Sequence, residues 1–244
     1  MIEFRDVHKK LYGAPVLRGV DMKINRGEAL VILGPTGAGK SVTLRHIVGL
    51  HKPDSGNIMV DGEDVGGLSG WALERLRSRF GVLFQSGALL NWMSVRDNIA
   101  LPLREKRRLP ENQIDEKVEE ALEMVGLSGD GEKMPAGISG GMKKRAGLAR
   151  AIVTEPEIVL YDEPTSGLDP IMSRKIDKLI VSLKKKLNIT SVVVTHDLIS
   201  AFGIADRIVM MCDGQVVESG SVEEFKASGN GLVRDFIAAY GIDC

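Results

Sequence analysis

Gly34-Pro35-Thr36-Gly37-Ala38-Gly39-Lys40-Ser41 constrains this chain more than any other stretch. It matches G-x-x-x-x-G-K-[ST], and its setting gives the match meaning. An apolar run, Ala29-Leu30-Val31-Ile32-Leu33, precedes it, and the helix-like Thr43-Leu44-Arg45-His46-Ile47-Val48 follows. Strand, glycine-rich turn and helix in that order make a phosphate cradle. The glycines admit phosphate oxygens close to backbone N–H groups, and the helix start adds unpaired donors and partial positive charge. Lys40 is expected to reach the β- and γ-phosphates, and Ser41 to hold Mg²⁺. The cofactors implied are ATP and Mg²⁺.

The rest of the pattern predicts an α/β chain. Short strands are expected at Ile2–Val7, Val16–Ile24, Ala29–Leu33 and Asn57–Val60, with turn signals at Lys23–Gly27 and Asp61-Gly62. Leu73–Arg79 reads as helix and Gly81–Phe84 as strand. From about Ala88 to Thr154 helices dominate, notably Glu111–Val125 and Met142–Thr154. The first of these puts Ile114, Val118, Ala121, Leu122 and Val125 on one face. Strands return at Ile158–Tyr161 and Ser191–Thr195, with the helix Ile171–Leu187 between them, which signals a parallel sheet. The simplest architecture is a nucleotide-binding α/β core over residues 1–87 and 158–225. A helical subdomain is inserted at 88–157, and a tail occupies 226–244. In that tail Leu232–Ile237 is amphipathic, and packing on its own domain is the expected reading.

Bulk properties exclude several classes. A net charge of −1 gives no basic field, so nucleic acid is not an expected partner. Arg104–Arg108 and Lys184–Lys186 read as solvated helix ends or loops. No apolar stretch is long enough to span a bilayer. The start, Met1–Val7, lacks the apolar core of a signal peptide. A cytoplasmic location is expected, with any membrane role exerted through a partner. Cys212 and Cys244 lack metal-like spacing and read as free thiols.

Two further strand ends carry chemistry. Ile158–Tyr161 runs into Asp162 and Glu163, at the sheet edge where parallel sheets bind ligands. Asp162 fits an acid supporting Mg²⁺, and Glu163 a general base or water-orienting group. His196, after Ser191–Thr195, is either a strand-end cap or a γ-phosphate contact, and the neighbouring acidic strand favours the contact. Ile138-Ser139-Gly140-Gly141-Met142 then opens a helix, with Ser139 as N-cap and Gly140 and Gly141 admitting an anion. One nucleotide site hardly needs two such helix starts unless a second subunit contributes one.

Together these residues resemble the ATP-binding subunits of ATP-binding-cassette (ABC) transporters over nearly the whole chain. Gly34–Ser41 matches the Walker A loop, Gln85 the Q-loop glutamine, and Ile138–Met142 the signature. Asp162 and Glu163 match Walker B and the catalytic glutamate, Ser166-Gly167-Leu168-Asp169 the D-loop, and His196 the switch histidine. Tyr12, ahead of Val16-Leu17, matches the aromatic that stacks on adenine. Phe84–Leu90, Ser94–Glu105 and Met142 followed by Lys143-Lys144-Arg145 are similar to the Mla/Mkl (toluene-tolerance) phospholipid-transport ATPases. The signature departs from Leu-Ser-Gly-Gly-Gln at both ends, and Met142 lacks the amide of the usual glutamine.

The resemblance implies a P-loop NTPase (RecA-like) core with an N-terminal antiparallel β subdomain and an inserted α-helical subdomain. It implies nucleotide binding by Tyr12, Val16, Gly34, Pro35, Thr36, Gly37, Ala38, Gly39, Lys40, Ser41 and Val42. Ser139, Gly140, Gly141 and Asp162 join them. Ser41, Gln85 and Asp162 would hold Mg²⁺, and Glu163, His196 and Gln85 would serve catalysis. A head-to-tail homodimer with two ATP molecules at its interface follows, each between one chain's Walker A loop and the other's signature. An integral-membrane permease would dock near Gln85–Glu105, with a lipid-binding substrate protein beyond it. The subunit would sit on the inner face of the cytoplasmic membrane. Leu89, Leu90, Trp92 and Met93 either complete the helical lobe or form that docking groove. The competing class is a non-transport ATPase, resembling iron–sulfur assembly or cell-division members.

Overall fold

The computed structural model describes residues 1–106 and 109–241. Arg107, Arg108 and Cys244 lie outside them. The chain divides into two compact units, residues 1–78 with the stretch from Thr190 onward, and residues 79–189.

In the first unit β1 (Ile2–Leu11) and β2 (Ala14–Ile24) form a hairpin in which Leu11 faces Ala14. Its turn is Tyr12-Gly13, at φ 51° and 83°, the two left-handed positions that suit the strand twist. The first strand runs past the expected Val7 because a bulge between Phe4 and Val7 resets the register. Asp6 N donates to Asp21 Oδ1 at 2.9 Å across that bulge. β3 (Ala29–Leu33) is buried throughout and leads toward α1 (Lys40–Ile47). β4 (Ser55–Val60) and β5 (Glu63–Asp64) extend the hairpin into an antiparallel sheet of order β2-β1-β4-β5, and α2 (Gly70–Arg77) follows.

The second unit opens with β6 (Phe80–Leu83), one residue earlier than expected. Phe84 is exposed and falls outside the strand. Three helices follow and pack on one another: α3 (Val95–Lys106), α4 (Glu111–Met124) and α5 (Gly140–Ile152). The α4 stripe Ile114, Val118, Ala121 and Leu122 is buried as its spacing requires, and so is Val125 beyond it. β7 (Ile158–Asp162) pairs parallel to β6, and α6 (Pro170–Leu187) closes the unit. α5 lies hard against β6: a Cβ on Gly81 would fall 2.1 Å from the Ala151 carbonyl oxygen.

The chain then returns to the first unit with β8 (Thr190–Thr195), α7 (Leu198–Ile204), β9 (Arg207–Cys212) and β10 (Gln215–Gly220). β3 runs between β8 and β9, parallel to both, and β10 is antiparallel to β9. The sequence reading has no strand after Thr195. The signal it leaves unused is Asp213-Gly214, at φ 48° and 77°, another two-residue hairpin turn. α8 (Val222–Lys226) and α9 (Gly231–Ala238) end the described chain. Val233 and Ile237 are buried, so the amphipathic tail packs on its own unit, beside α8. Among the described residues no helix is long and apolar enough to cross a membrane. Cys212 is a free thiol.

Candidate nucleotide site

The glycine-rich loop sits where the sheet of the first unit opens. Leu33 at the end of β3 pairs with Thr195 of β8 and Met210 of β9, so Gly34 and His196 leave the same sheet edge side by side. The loop is fixed from beneath. A Cβ on Gly34 would stand 2.1 Å from the Met211 carbonyl oxygen, and one on Gly39 would stand 2.9 Å from that of Val16. Gly34, Gly37 and Gly39 have φ of 152°, 87° and 97°, a run that side chains would resist. Gly39 is the N-cap of α1, which leaves the helix's first N–H groups facing the loop.

Lys40 is buried, and its Nζ donates to the carbonyl oxygens of Gly34 at 2.7 Å and Pro35 at 3.0 Å. The ammonium is therefore held over the loop that bears it. Val16, on β2, stands against Gly39, which brings the first hairpin to the loop. Tyr12, at that hairpin's tip, is fully exposed, so it has no part in the core. His196 is exposed. Tyr240 Oη donates to its carbonyl oxygen, and Asp197 beyond it caps α7 by accepting from Ile199 N at 2.9 Å and Ser200 N at 3.2 Å.

The second unit gathers a different set. Glu163 follows β7, is buried, and has φ 49°. A non-glycine residue in that region costs about 1–2 kcal/mol, which its surroundings must offset. Its carbonyl oxygen accepts from Ser166 N at 3.2 Å and from Lys144 Nζ at 3.0 Å. Lys144 Nζ also donates to the Gln85 carbonyl oxygen, and Gln85 Nε2 donates to Ser166 Oγ at 3.2 Å. Gln85, Lys144, Glu163 and Ser166 thus form one closed network. Lys144 is 4% exposed. Burial pulls its ammonium down from 10.5 to about 8, against the upward pull of the Glu163 and Asp162 carboxylates. Six residues on, Arg150 donates to the carbonyl oxygens of Ala88 at 2.7 Å and Gly87 at 3.0 Å.

Ser139 is the N-cap of α5, accepting from Met142 N at 3.3 Å, as its position before two glycines predicts. A Cβ on Gly141 would come 2.5 Å from Met172 Cε, so the signature glycine lies against α6. The loop between Gln85 and α3 is locked by buried Asn98. Its Oδ1 accepts from Leu90 N at 2.7 Å, and its Nδ2 donates to the carbonyl oxygens of Leu90, Met93 and Ser94 at 3.1, 3.1 and 2.9 Å. Leu89, Leu90 and Met93 are half-buried there, while Trp92 is 76% exposed.

The structure therefore brings Val16, the loop Gly34–Val42 and His196 together in one unit. Gln85, Asp162 and Glu163 gather in the other, with Ser139, Gly140 and Gly141 on its helix α5. Sequence reasoning missed Lys144, Arg150 and Asn98. The signal for Lys144 was present: Gly141, Lys144, Leu148 and Ala151 share one helical stripe, and the apolar members are buried. Reading Lys143-Lys144-Arg145 as a block hid that one lysine faces inward.

The sequence profile of the ABC transporter family matches residues 17–166. The chain is similar to the probable ribonucleotide transport ATP-binding protein mkl of Mycobacterium leprae, with 42% identity over 236 residues, covering 97% of this chain and 68% of that one. It is similar to the intermembrane phospholipid transport system ATP-binding protein MlaF of Escherichia coli K12, with 40% identity over 237 residues, covering 97% and 88%. Among solved structures, an ATP-binding cassette captured as a dimer after hydrolysis, with ADP and phosphate bound, superposes with a TM-score of 0.83 at 32% identity, covering 91% of this chain and 99% of that one.

Proposed function

From the premise that this chain belongs to the ABC transporter family of ATP-binding subunits, we propose that it hydrolyses ATP to drive phospholipid movement between envelope membranes. The observation that carries this reading is the phosphate loop on β3, held against β2 and β9 with Lys40 above it. The lipid assignment draws on similarity to MlaF along 88% of that protein, with the Gln85–Glu105 segment as a marker. The mkl relative is named for ribonucleotides and supplies the competing substrate class.

In this mechanism the N–H groups at the start of α1 receive the phosphates. Lys40 exchanges the Gly34 and Pro35 carbonyls for β- and γ-phosphate oxygens, a charge-assisted contact. Tyr12, exposed at its hairpin, stacks on the adenine beside Val16. The donors assigned to Mg²⁺ are all oxygens, as that ion requires: the Ser41 hydroxyl, the Asp162 carboxylate and the Gln85 amide oxygen. The hydrogen bond of Gln85 to Ser166 Oγ is made by its amide nitrogen and not by that oxygen. Bound there, Mg²⁺ would neutralise charge on the phosphates. Glu163 takes a proton from the attacking water as its oxygen bonds to the γ-phosphorus. The bond from that phosphorus to the bridging oxygen breaks, leaving ADP and phosphate. His196 contacts the γ-phosphate. Ser139, Gly140 and Gly141 of a second copy cover the nucleotide, which gives the second capped helix start its purpose. The motor then sits peripherally on the inner face of the cytoplasmic membrane. A permease holds it near Gln85–Glu105, with a lipid-binding protein beyond.

The test is reconstitution of the chain with its co-purifying membrane partner in vesicles carrying a labelled phospholipid. ATP-dependent transfer is expected, and Glu163→Gln should bind ATP but lower hydrolysis by about 10²–10⁴-fold. Ribonucleotide uptake without lipid transfer would refute the lipid assignment. Wild-type hydrolysis by Glu163→Gln would refute the mechanism.

A further inference from the structure

Lys144 joins two segments that the reaction must coordinate. Its stem lies in the buried stripe of α5. Its ammonium donates to the Gln85 carbonyl oxygen on one side and to the Glu163 carbonyl oxygen, at 3.0 Å, on the other. Both acceptors are backbone atoms, so the lysine fixes chain direction and not merely a side-chain pose. Glu163 gains from such a fix: its φ of 49° lies in the left-handed region, which a residue with a side chain enters at a cost. Ser166 N shares the same carbonyl at 3.2 Å, and Gln85 Nε2 returns to Ser166 Oγ, so a shift at Gln85 reaches Glu163 by two routes. A lysine on a helix face otherwise made of Gly141, Leu148 and Ala151 is costly to bury, and its two carbonyls are what make it tolerable.

We propose that Lys144 is a positioning residue for ATP hydrolysis, which holds the Glu163 backbone in its left-handed conformation and ties it to Gln85. The inference rests on the reading of Glu163 as the group that handles the attacking water. In this role Lys144 acts through the Glu163 and Gln85 backbone. It sets where the Glu163 carboxylate points and makes that direction depend on the position of the Gln85 segment.

The experiment compares the full-length chain with Lys144→Met, Lys144→Arg, Glu163→Ala and the double variant Lys144→Met/Glu163→Ala. The readouts are phosphate release with Mg²⁺ and ATP, and thermal melting. Lys144→Met keeps the stem and removes the donors. It should lower kcat about 10-fold or more, since small misplacements of a reacting group have effects of that order, with KM for ATP within about twofold. Lys144→Arg restores two donors and should recover most of the rate. In the Glu163→Ala background Lys144→Met should cost nothing further, because the residue it positions is gone. If Lys144→Met melts too low to assay, the Arg variant decides: a rate below one tenth of wild type in a folded Lys144→Arg overturns the proposal. Full activity of Lys144→Met also overturns it, as does an equal rate loss with and without Glu163, the mark of a general structural anchor. Wild-type hydrolysis by Glu163→Ala is a separate failure, of the Glu163 assignment itself.

Discussion

Replacing Asn98 by leucine tests how the loop after Gln85 is held. The two side chains have similar size, so the change removes an amide and little volume. Four hydrogen bonds go with it, but they are not equal in consequence. The Leu90 carbonyl still accepts from Met93 N at 3.2 Å, and the Ser94 carbonyl still accepts from the backbone N–H of residue 98 at 3.0 Å. Leu90 N–H and the Met93 carbonyl lose the Asn98 amide, and among the described residues they have no other hydrogen-bond partner. Each buried polar group left unpaired costs about 1–3 kcal/mol, and half-burial lets water recover part of that, giving about 3 kcal/mol in all. In a chain of this size that lowers the melting temperature by about 6–12 °C. Differential scanning calorimetry reads the shift, and nucleotide titration provides the control. Asn98 makes no hydrogen bond with the glycine-rich loop or Lys40, so ATP affinity measured without Mg²⁺ should stay within about twofold. Melting within about 2 °C of wild type would show that the amide does not hold the loop.

Gly34→Ala forces a methyl carbon into the Met211 carbonyl oxygen, so at least about 3 kcal/mol of strain is expected, with ATP binding weakened by displacement of the loop; wild-type affinity by calorimetry would refute the loop geometry described here. His46 is wholly buried, with Nδ1 donating to the Val42 carbonyl at 2.8 Å, and burial first, then the charges of His51 and Lys9, hold its pKa below the usual 6.5. The unfolded chain binds that proton more readily, so the contribution of neutral His46 is complete above pH 6.5 and is lost as pH falls through the lowered value. Urea midpoints should drop between about pH 7.5 and about pH 5.5, and His46→Leu should flatten the drop; an unchanged slope in that variant would remove His46 as its source.

The phosphate loop was legible because its chemistry is carried by backbone. Glycines at 34, 37 and 39 are demanded by their positive φ, which is a local property of the loop; the close approach of Met211 to Gly34 and of Val16 to Gly39 is not visible in the sequence. Ser139 was legible for a similar reason, since an N-cap is a local arrangement. Glu163 was found as an acid at a strand end, but its left-handed backbone was not, because that conformation is imposed by Lys144 and Ser166. Asn98 looked like one more polar residue in a helix, and only the fold of residues 89–94 over it reveals four hydrogen bonds. Strands β9 and β10 were not legible although Asp213-Gly214 marks their turn, because the short apolar run Ile208–Met211 cannot be told from a buried helix segment by periodicity alone.

Helix α5 has one more consequence. Gly147 leaves no slack where the helix crosses the loop after Gln85: a Cβ there would stand 3.0 Å from the Gly87 carbonyl oxygen and 2.8 Å from Leu83 Cδ1. Ser139 stands at one end of the rod and Arg150 grips the loop near the other. From Gly147 back to Ser139 the rod spans about 12 Å, so a tilt of about 5° about that contact moves the serine end by about 1 Å. A close-packed fulcrum cannot absorb such a stroke by compression. A displacement of the Gln85 loop would therefore be passed along a stiff rod to the serine end and not be lost at the contact.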